Sequence, residues 1–131
     1  MMKHTLLALF VALCGCTEEA YVNPPAGTYR TESYSLRTGG SAVTVATALV
    51  RDAFFSEAHV QPMLGRFFVP DEYGGSGRVA VLSNALWKRQ FGGDPGLIGR
   101  TVQLNGLDCT IVGVLPERFS FPPGVDVWMP M

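Results

Sequence analysis

The fold is decided by Arg78–Leu115, which reads RVAVLSNALWKRQFGGDPGLIGRTVQLNGLDCTIVGVL. Val79–Leu82 is a short apolar run, the pattern of a buried strand. Ser83 follows where a helix needs an N-cap, with a hydroxyl able to accept a backbone N–H of the first turn. Over residues 84–91, Leu86, Trp87 and Phe91 recur at helical spacing. Lys88, Arg89 and Gln90 take the opposite side, with the cations near the end where the helix dipole favours them. Gly92-Gly93 predicts a left-handed stop, and Asp94-Pro95-Gly96 a turn.

A β-hairpin is then predicted over 100–111. Asn105-Gly106 is the preferred pair for a two-residue turn with both residues at positive φ. That turn sets Leu104 opposite Leu107, Val102 opposite Cys109 and Arg100 opposite Ile111. One face carries Val102, Leu104, Leu107, Cys109 and Ile111; the other carries Thr101, Gln103, Asp108 and Thr110. A slip of one residue would mix the faces, so turn and pattern select one register. After Thr110 the run IVGVL is apolar throughout, as in a strand covered on both sides, and Pro116 ends it.

Working outward, Tyr29–Arg37 alternates weakly and reads as an edge strand, and Thr38-Gly39-Gly40-Ser41 as a turn. Residues 42–50 (AVTVATALV) are β-branched and read as a strand. Asp52 is placed to cap a short helix over 53–59, with Phe54, Phe55 and Ala58 buried. Leu64-Gly65 reads as a turn, and residues 71–77 (DEYGGSG) as an acidic, solvated loop. Val125–Trp128 reads as a last short strand. The expected class is α+β: short helices packed on a mixed or antiparallel sheet.

The chain has 131 residues, 47% of them hydrophobic and 16% charged, with a net charge of −1. These are values for one globular domain, with no basic field to hold nucleic acid. The N-terminus is an address. Lys3 precedes an apolar stretch, Thr5–Leu13, too short to span a bilayer but of signal-peptide length. It ends in Leu13-Cys14-Gly15-Cys16, which resembles a bacterial lipobox with Cys16 as the acylated residue. Thr17 follows rather than Asp, which by analogy with enterobacterial sorting favours the outer over the inner membrane. The expected organisation is a signal peptide over 1–15, a tether and edge strand over 16–41, and a folded domain over 42–131. The expected location is the periplasmic side of the envelope, anchored by lipid; the alternative is secretion into the periplasm.

No residue pattern points to catalysis. The mature chain would retain two cysteines, Cys16 and Cys109; with Cys16 acylated, Cys109 has no intramolecular partner and no disulfide framework is available. The hairpin register puts Cys109 on the apolar face, where a thiol packs as a small hydrophobe. His59 has no nucleophile placed beside it. Asp71 and Glu72 are adjacent in a glycine-rich loop and cannot hold the separation that paired-carboxylate hydrolysis requires. No catalytic, cofactor-binding or metal-binding residue is assigned. Phe119, Phe121 and Trp128 offer either an aromatic binding platform or core packing, and the second is the commoner use.

From Ala42 onward, with Tyr29–Gly40 as a further candidate stretch, the sequence resembles the C-terminal part of the MacB-like periplasmic core domain of FtsX-like ABC transporter permeases, in its predicted-permease branch. The resemblance runs through Gln61-Pro-Met-Leu-Gly-Arg-Phe67, Val79-Ala-Val-Leu-Ser-Asn-Ala-Leu-Trp87, Arg89-Gln-Phe-Gly-Gly-Asp-Pro95, Ile98-Gly-Arg-Thr101, Leu104-Asn-Gly106, Ile111-Val-Gly-Val114 and Asp126-Val-Trp-Met-Pro130. It implies a non-catalytic extracytoplasmic module acting in protein interaction or transport coupling, with a permease, its ATPase or another envelope protein as partner. The lipoprotein-like leader departs from the family, so the expectation is a truncated or detached module. The alternative is an independent envelope lipoprotein binding a small ligand or peptide through the aromatic tail, which would require an exposed Trp128.

Overall fold

The computed structural model describes residues 22–74 and 78–131. The leader, Cys16 and residues 75–77 of the acidic loop lie outside the described residues. The strands are β1 (Tyr29–Thr38), β2 (Ser41–Val50), β3 (Leu64–Gly65), β4 (Val79–Leu82), β5 (Thr101–Leu104), β6 (Leu107–Val114) and β7 (Val125–Pro130). Two short helices, α1 (Phe54–Glu57) and α2 (Asn84–Phe91), and 3-10 turns at Pro70–Glu72 and Pro95–Leu97 complete the described elements.

The sheet runs β3-β6-β4-β7-β2-β1-β5, and β5 also pairs with β6. Six strands therefore close into a ring, with β3 set beside the end of β6. β2–β7 and β4–β6 are parallel; the remaining pairs are antiparallel. The sheet is thus mixed, as expected from the sequence, but its closure is not something the local pattern announces. Closure satisfies backbone groups that an open sheet leaves exposed.

The hairpin has the register set by its turn: Leu104 opposes Leu107 and Val102 opposes Cys109. Asn105 and Gly106 both have positive φ, 52° and 81°. One member of the apolar face departs from expectation. Leu107 is 51% exposed while Val102, Leu104, Cys109 and Ile111 are buried. It sits beside the turn, beyond the reach of β4, which pairs with β6 only from Thr110 onward.

Alternation along the strands divides the core in two. Leu36, Val45, Ala80, Leu82, Ile111 and Val127 pack inside the ring with Leu86, Trp87 and Leu97 of the α2 segment. Ala48, Val50, Val79, Val81, Val112 and Trp128 pack on the other face with Phe54 and Phe55 of α1. A register shift in the β2–β7 pairing, between partners Ala46↔Val125 and Thr47↔Val127, makes Asp126 an extra residue. Val125 and Val127 consequently serve opposite cores, which strict period-2 alternation forbids.

Helix α2 has the bounds read from the sequence. The Ser83 Oγ accepts from the Leu86 N–H at 3.0 Å, and Gly92 ends the helix at φ 65°. Helix α1 is shorter than expected. Its N-cap is Ala53, Asp52 makes no cap, and His59 lies beyond it at φ 56°. The physical reason is that the carbonyl of Arg51 takes the Phe54 N–H at 3.0 Å, the role assigned to the Asp52 carboxylate. Leu64-Gly65 is a strand rather than a turn, paired with Val114 and Gly113. β1 pairs with β2 along its whole length and with β5 at Leu36 and Arg37, so it is an edge only in its first half. β7 runs two residues past Trp128 because the Leu49 and Val50 ladder continues to Met129 and Pro130.

Candidate interaction surface

Of the residues with chemical potential, Cys109 and Glu72 are engaged in packing and pairing. Cys109 is buried in the inner core. Burial pushes its thiol above the usual range, with the nearby Arg78 opposing, so it is not poised as a nucleophile. His59 is exposed at the end of α1. Among the described residues, no group of three or more His, Cys, Asp or Glu side chains is arranged to hold a metal ion.

Glu72 is not a solvated loop carboxylate. It is bidentate with Arg66, at 3.0 Å for each of two bonds, and it accepts the Val69 N–H at 2.9 Å. The Arg66 hydrogen bonds hold its carboxyl below the usual range against the opposing effect of burial. This clamp closes the segment between β3 and the Pro70–Glu72 turn. Tyr73, next in sequence, packs edge-on to Phe68 and is pushed up to about 12 by burial.

Two further struts fix α2. Ser83 Oγ donates to Asp126 Oδ1 at 2.8 Å, Arg89 donates to Asp126 Oδ2 at 3.2 Å, and the Ser83 N–H donates to the Asp126 carbonyl at 2.9 Å. The extra residue in β7 is therefore the post to which the start and the second turn of the helix are tied. At the far end, Trp87 Nε1 donates to the Asp94 carbonyl at 3.0 Å, and Asp94 pairs with Arg100 at 3.0 Å. Sequence reading placed Ser83 as a cap but missed Asp126, because its role depends on a pairing between residues 43 positions apart.

The aromatic tail is core. Trp128 is fully buried, Phe119 is buried, and Phe121 packs edge-on to Tyr29 at 5.4 Å. A binding platform built on Trp128 has no exposed ring to offer. Among the surface clefts is one of about 580 Å³ between the Gly39-Gly40 turn, Phe91 and Arg100–Gln103, and another of about 490 Å³ beside Gly65, Ile98 and Val112. Val22, Met63, Val69 and Leu107 are separate exposed hydrophobics. Apolar side chains scattered singly in this way are ordinary surface and mark no site by themselves. No described helix is long and apolar enough to cross a membrane.

The family model described as the MacB-like periplasmic core domain matches residues 17–131. That span includes β1 as well as the region from Ala42 onward. The chain is 27% identical over 101 residues to the macrolide export ATP-binding/permease protein MacB of Burkholderia thailandensis, covering 75% of this chain and 16% of that protein. Its fold is similar to the periplasmic region of MacB from Actinobacillus actinomycetemcomitans, with a TM-score of 0.66 and 18% identity, over 89% of this chain and 52% of that one. It is equally similar, at a TM-score of 0.66 and 17% identity, to the extracellular domain of the noncanonic ABC-type transporter YknZ from Gram-positive bacteria, over 79% of this chain and 52% of that one. The chain spans about half the length of these solved domains and a sixth of the curated relative.

Proposed function

Because this chain belongs to the MacB-like periplasmic core domain family, we propose that it is a non-catalytic extracytoplasmic module working through protein contacts, coupled to an ABC transporter permease and its ATPase or to another envelope protein. The observation that carries this reading is the family match over residues 17–131. The geometry is compatible with it: Glu72, Asp94 and Asp126 form struts, and Trp128 and Phe119 are packed inward. Such a module transmits or senses position; it does not transform a substrate.

The leader supports a periplasmic location and a lipid anchor at Cys16. Six residue steps separate Cys16 from Val22, at most about 20 Å of chain. The Val22 N–H donates to the Ala58 carbonyl at 3.1 Å, so an anchor there would hold the α1 end of the module near the bilayer. Intact-mass measurement on membrane-extracted protein checks this; an unmodified Cys16 refutes the anchor without touching the interaction role.

Affinity capture from cross-linked envelope extracts tests the main reading. Recovery of a transporter or envelope protein, abolished when the surface cleft at Arg37 and Gln103 is replaced by alanines, is the expected result. Capture that returns neither class of protein counts against it. The small-ligand reading is weaker, because the Trp128 that would carry it is fully buried.

A further inference from the structure

From Tyr29 to Tyr34, β1 has β2 on one side and no described strand on the other. The two-residue turn Gly39-Gly40 fixes which backbone groups point outward. It makes Thr38 and Ser41 a hydrogen-bonded pair, so Leu36, Tyr34, Glu32 and Arg30 direct their N–H and C=O groups to β2. Ser35, Ser33, Thr31 and Tyr29 direct theirs away. Ser35 shows this: its N–H donates to Asn105 Oδ1 at 2.8 Å, and its carbonyl accepts the Asn105 N–H at 2.9 Å. Thr31 and Ser33 have no such partner among the described residues. The run carries no proline or lysine, and its pairing with β2 shows no bulge, so several devices that protect natural edges are missing.

We propose that a second copy of this chain pairs with this edge, β1 against β1, antiparallel about a two-fold axis through Thr31. Charge selects that occupant and that register. Antiparallel pairing must set outward-pointing residues opposite one another, which leaves three registers near the centre of the open run. Thr31 opposite Ser33 sets Glu32 against its own copy. Tyr29 opposite Thr31 sets Arg30 against its own copy. Thr31 opposite Thr31 sets Arg30 against Glu32 twice, on one face, with no like charges opposed. Both side chains are exposed, at 60% and 43%, and already reach each other within one strand at 3.1 Å. A two-fold interface of this kind is self-complementary and closed. Tethering on one membrane would raise the effective concentration of two copies and favour so short a pairing.

The test uses two differently tagged copies of the full chain in one cell, extracted in detergent and captured through one tag. Wild-type copies should purify together. Arg30→Glu or Glu32→Arg should each lower co-capture about tenfold, since each replaces two attractive pairs by two repulsive ones. The double variant R30E/E32R should restore it. Absence of wild-type co-capture, or a double variant no better than the singles, overturns the proposal. Oxidative cross-linking gives a second readout. Thr31→Cys should form a linked dimer above the background of the unsubstituted chain. Ser33→Cys should not, because in this register it lies about four residues, roughly 13 Å, from its own copy. The reverse pattern overturns the register.

Discussion

Replacing Gly113 by alanine isolates the cost of a contact from the cost of a backbone conformation. Gly113 lies in β6 opposite Gly65 of β3, and its φ is not in the left-handed region. An alanine Cβ there would press into the Arg66 carbonyl oxygen, with the Leu64 carbonyl oxygen at 3.2 Å and the Arg66 carbonyl carbon at 3.3 Å. All of these are backbone atoms and cannot rotate aside, so β3 must separate from β6. That separation strains two hydrogen bonds, Met63 N–H to the Val114 carbonyl at 2.7 Å and Arg66 N–H to the Val112 carbonyl at 2.8 Å. Each bond is worth about 1 kcal/mol net, and overpacking costs about 1–3 kcal/mol, so the expected loss is about 2–3 kcal/mol. For a domain of this size that lowers Tm by roughly 10 °C or more. Gly106→Ala is the matched control: nothing lies within 4 Å of its Cβ, but its φ is +81°. It should cost about 1 kcal/mol, from conformation alone. Urea and thermal unfolding followed by circular dichroism measure both. A Gly113→Ala protein within about 0.5 kcal/mol of wild type, or no more affected than Gly106→Ala, refutes the reasoning.

Ser83→Ala removes a cap and the hydrogen bond to Asp126, and should destabilise by about 2 kcal/mol; a double-mutant cycle with Asp126→Asn should give a non-zero coupling, measured by urea unfolding. Glu72 has a carboxyl pKa lowered in the folded state, so its stabilising contribution is complete above the unfolded carboxyl range and is lost as pH falls through the folded value. Tm of wild type should therefore fall more steeply on acidification than Tm of Glu72→Gln, and parallel profiles would remove the Arg66–Glu72 clamp from the account. Cys109 should resist a thiol reagent at pH 8 in the native state and react on unfolding; rapid native labelling would contradict its burial.

Local chemistry made parts of this fold legible. Asn105-Gly106 fixes the hairpin because both residues accept positive φ, and Ser83 marks the start of α2 because its hydroxyl has one useful task there. The bounds Asn84–Phe91 follow from that cap and from Gly92. The Asp52 cap was not realised because a backbone carbonyl competes for the same N–H. Leu107 was misplaced because period-2 alternation assigns a face without saying how far the facing strand extends. Ring closure was invisible for a different reason. It depends on Leu36 and Arg37 meeting Leu104 and Gln103, and nothing local in the polar β1 encodes that meeting. The burial of Cys109 was legible from the hairpin register, which puts it on the apolar face opposite Val102. The engagement of Glu72 by Arg66 needed the chain to fold back across six residues.

The β7 strand enters the ring parallel to β2 and antiparallel to β4, with Met131 N–H held by the Val50 carbonyl at 2.8 Å. A force drawn through Met131 along the strand axis therefore loads both ladders in shear. Their bonds must yield together rather than one after another, as they would in a zipper. Peeling β7 sideways would meet far less resistance. The domain is consequently stiff along one direction and weak across it, an anisotropy set by strand order rather than by the strength of any single bond.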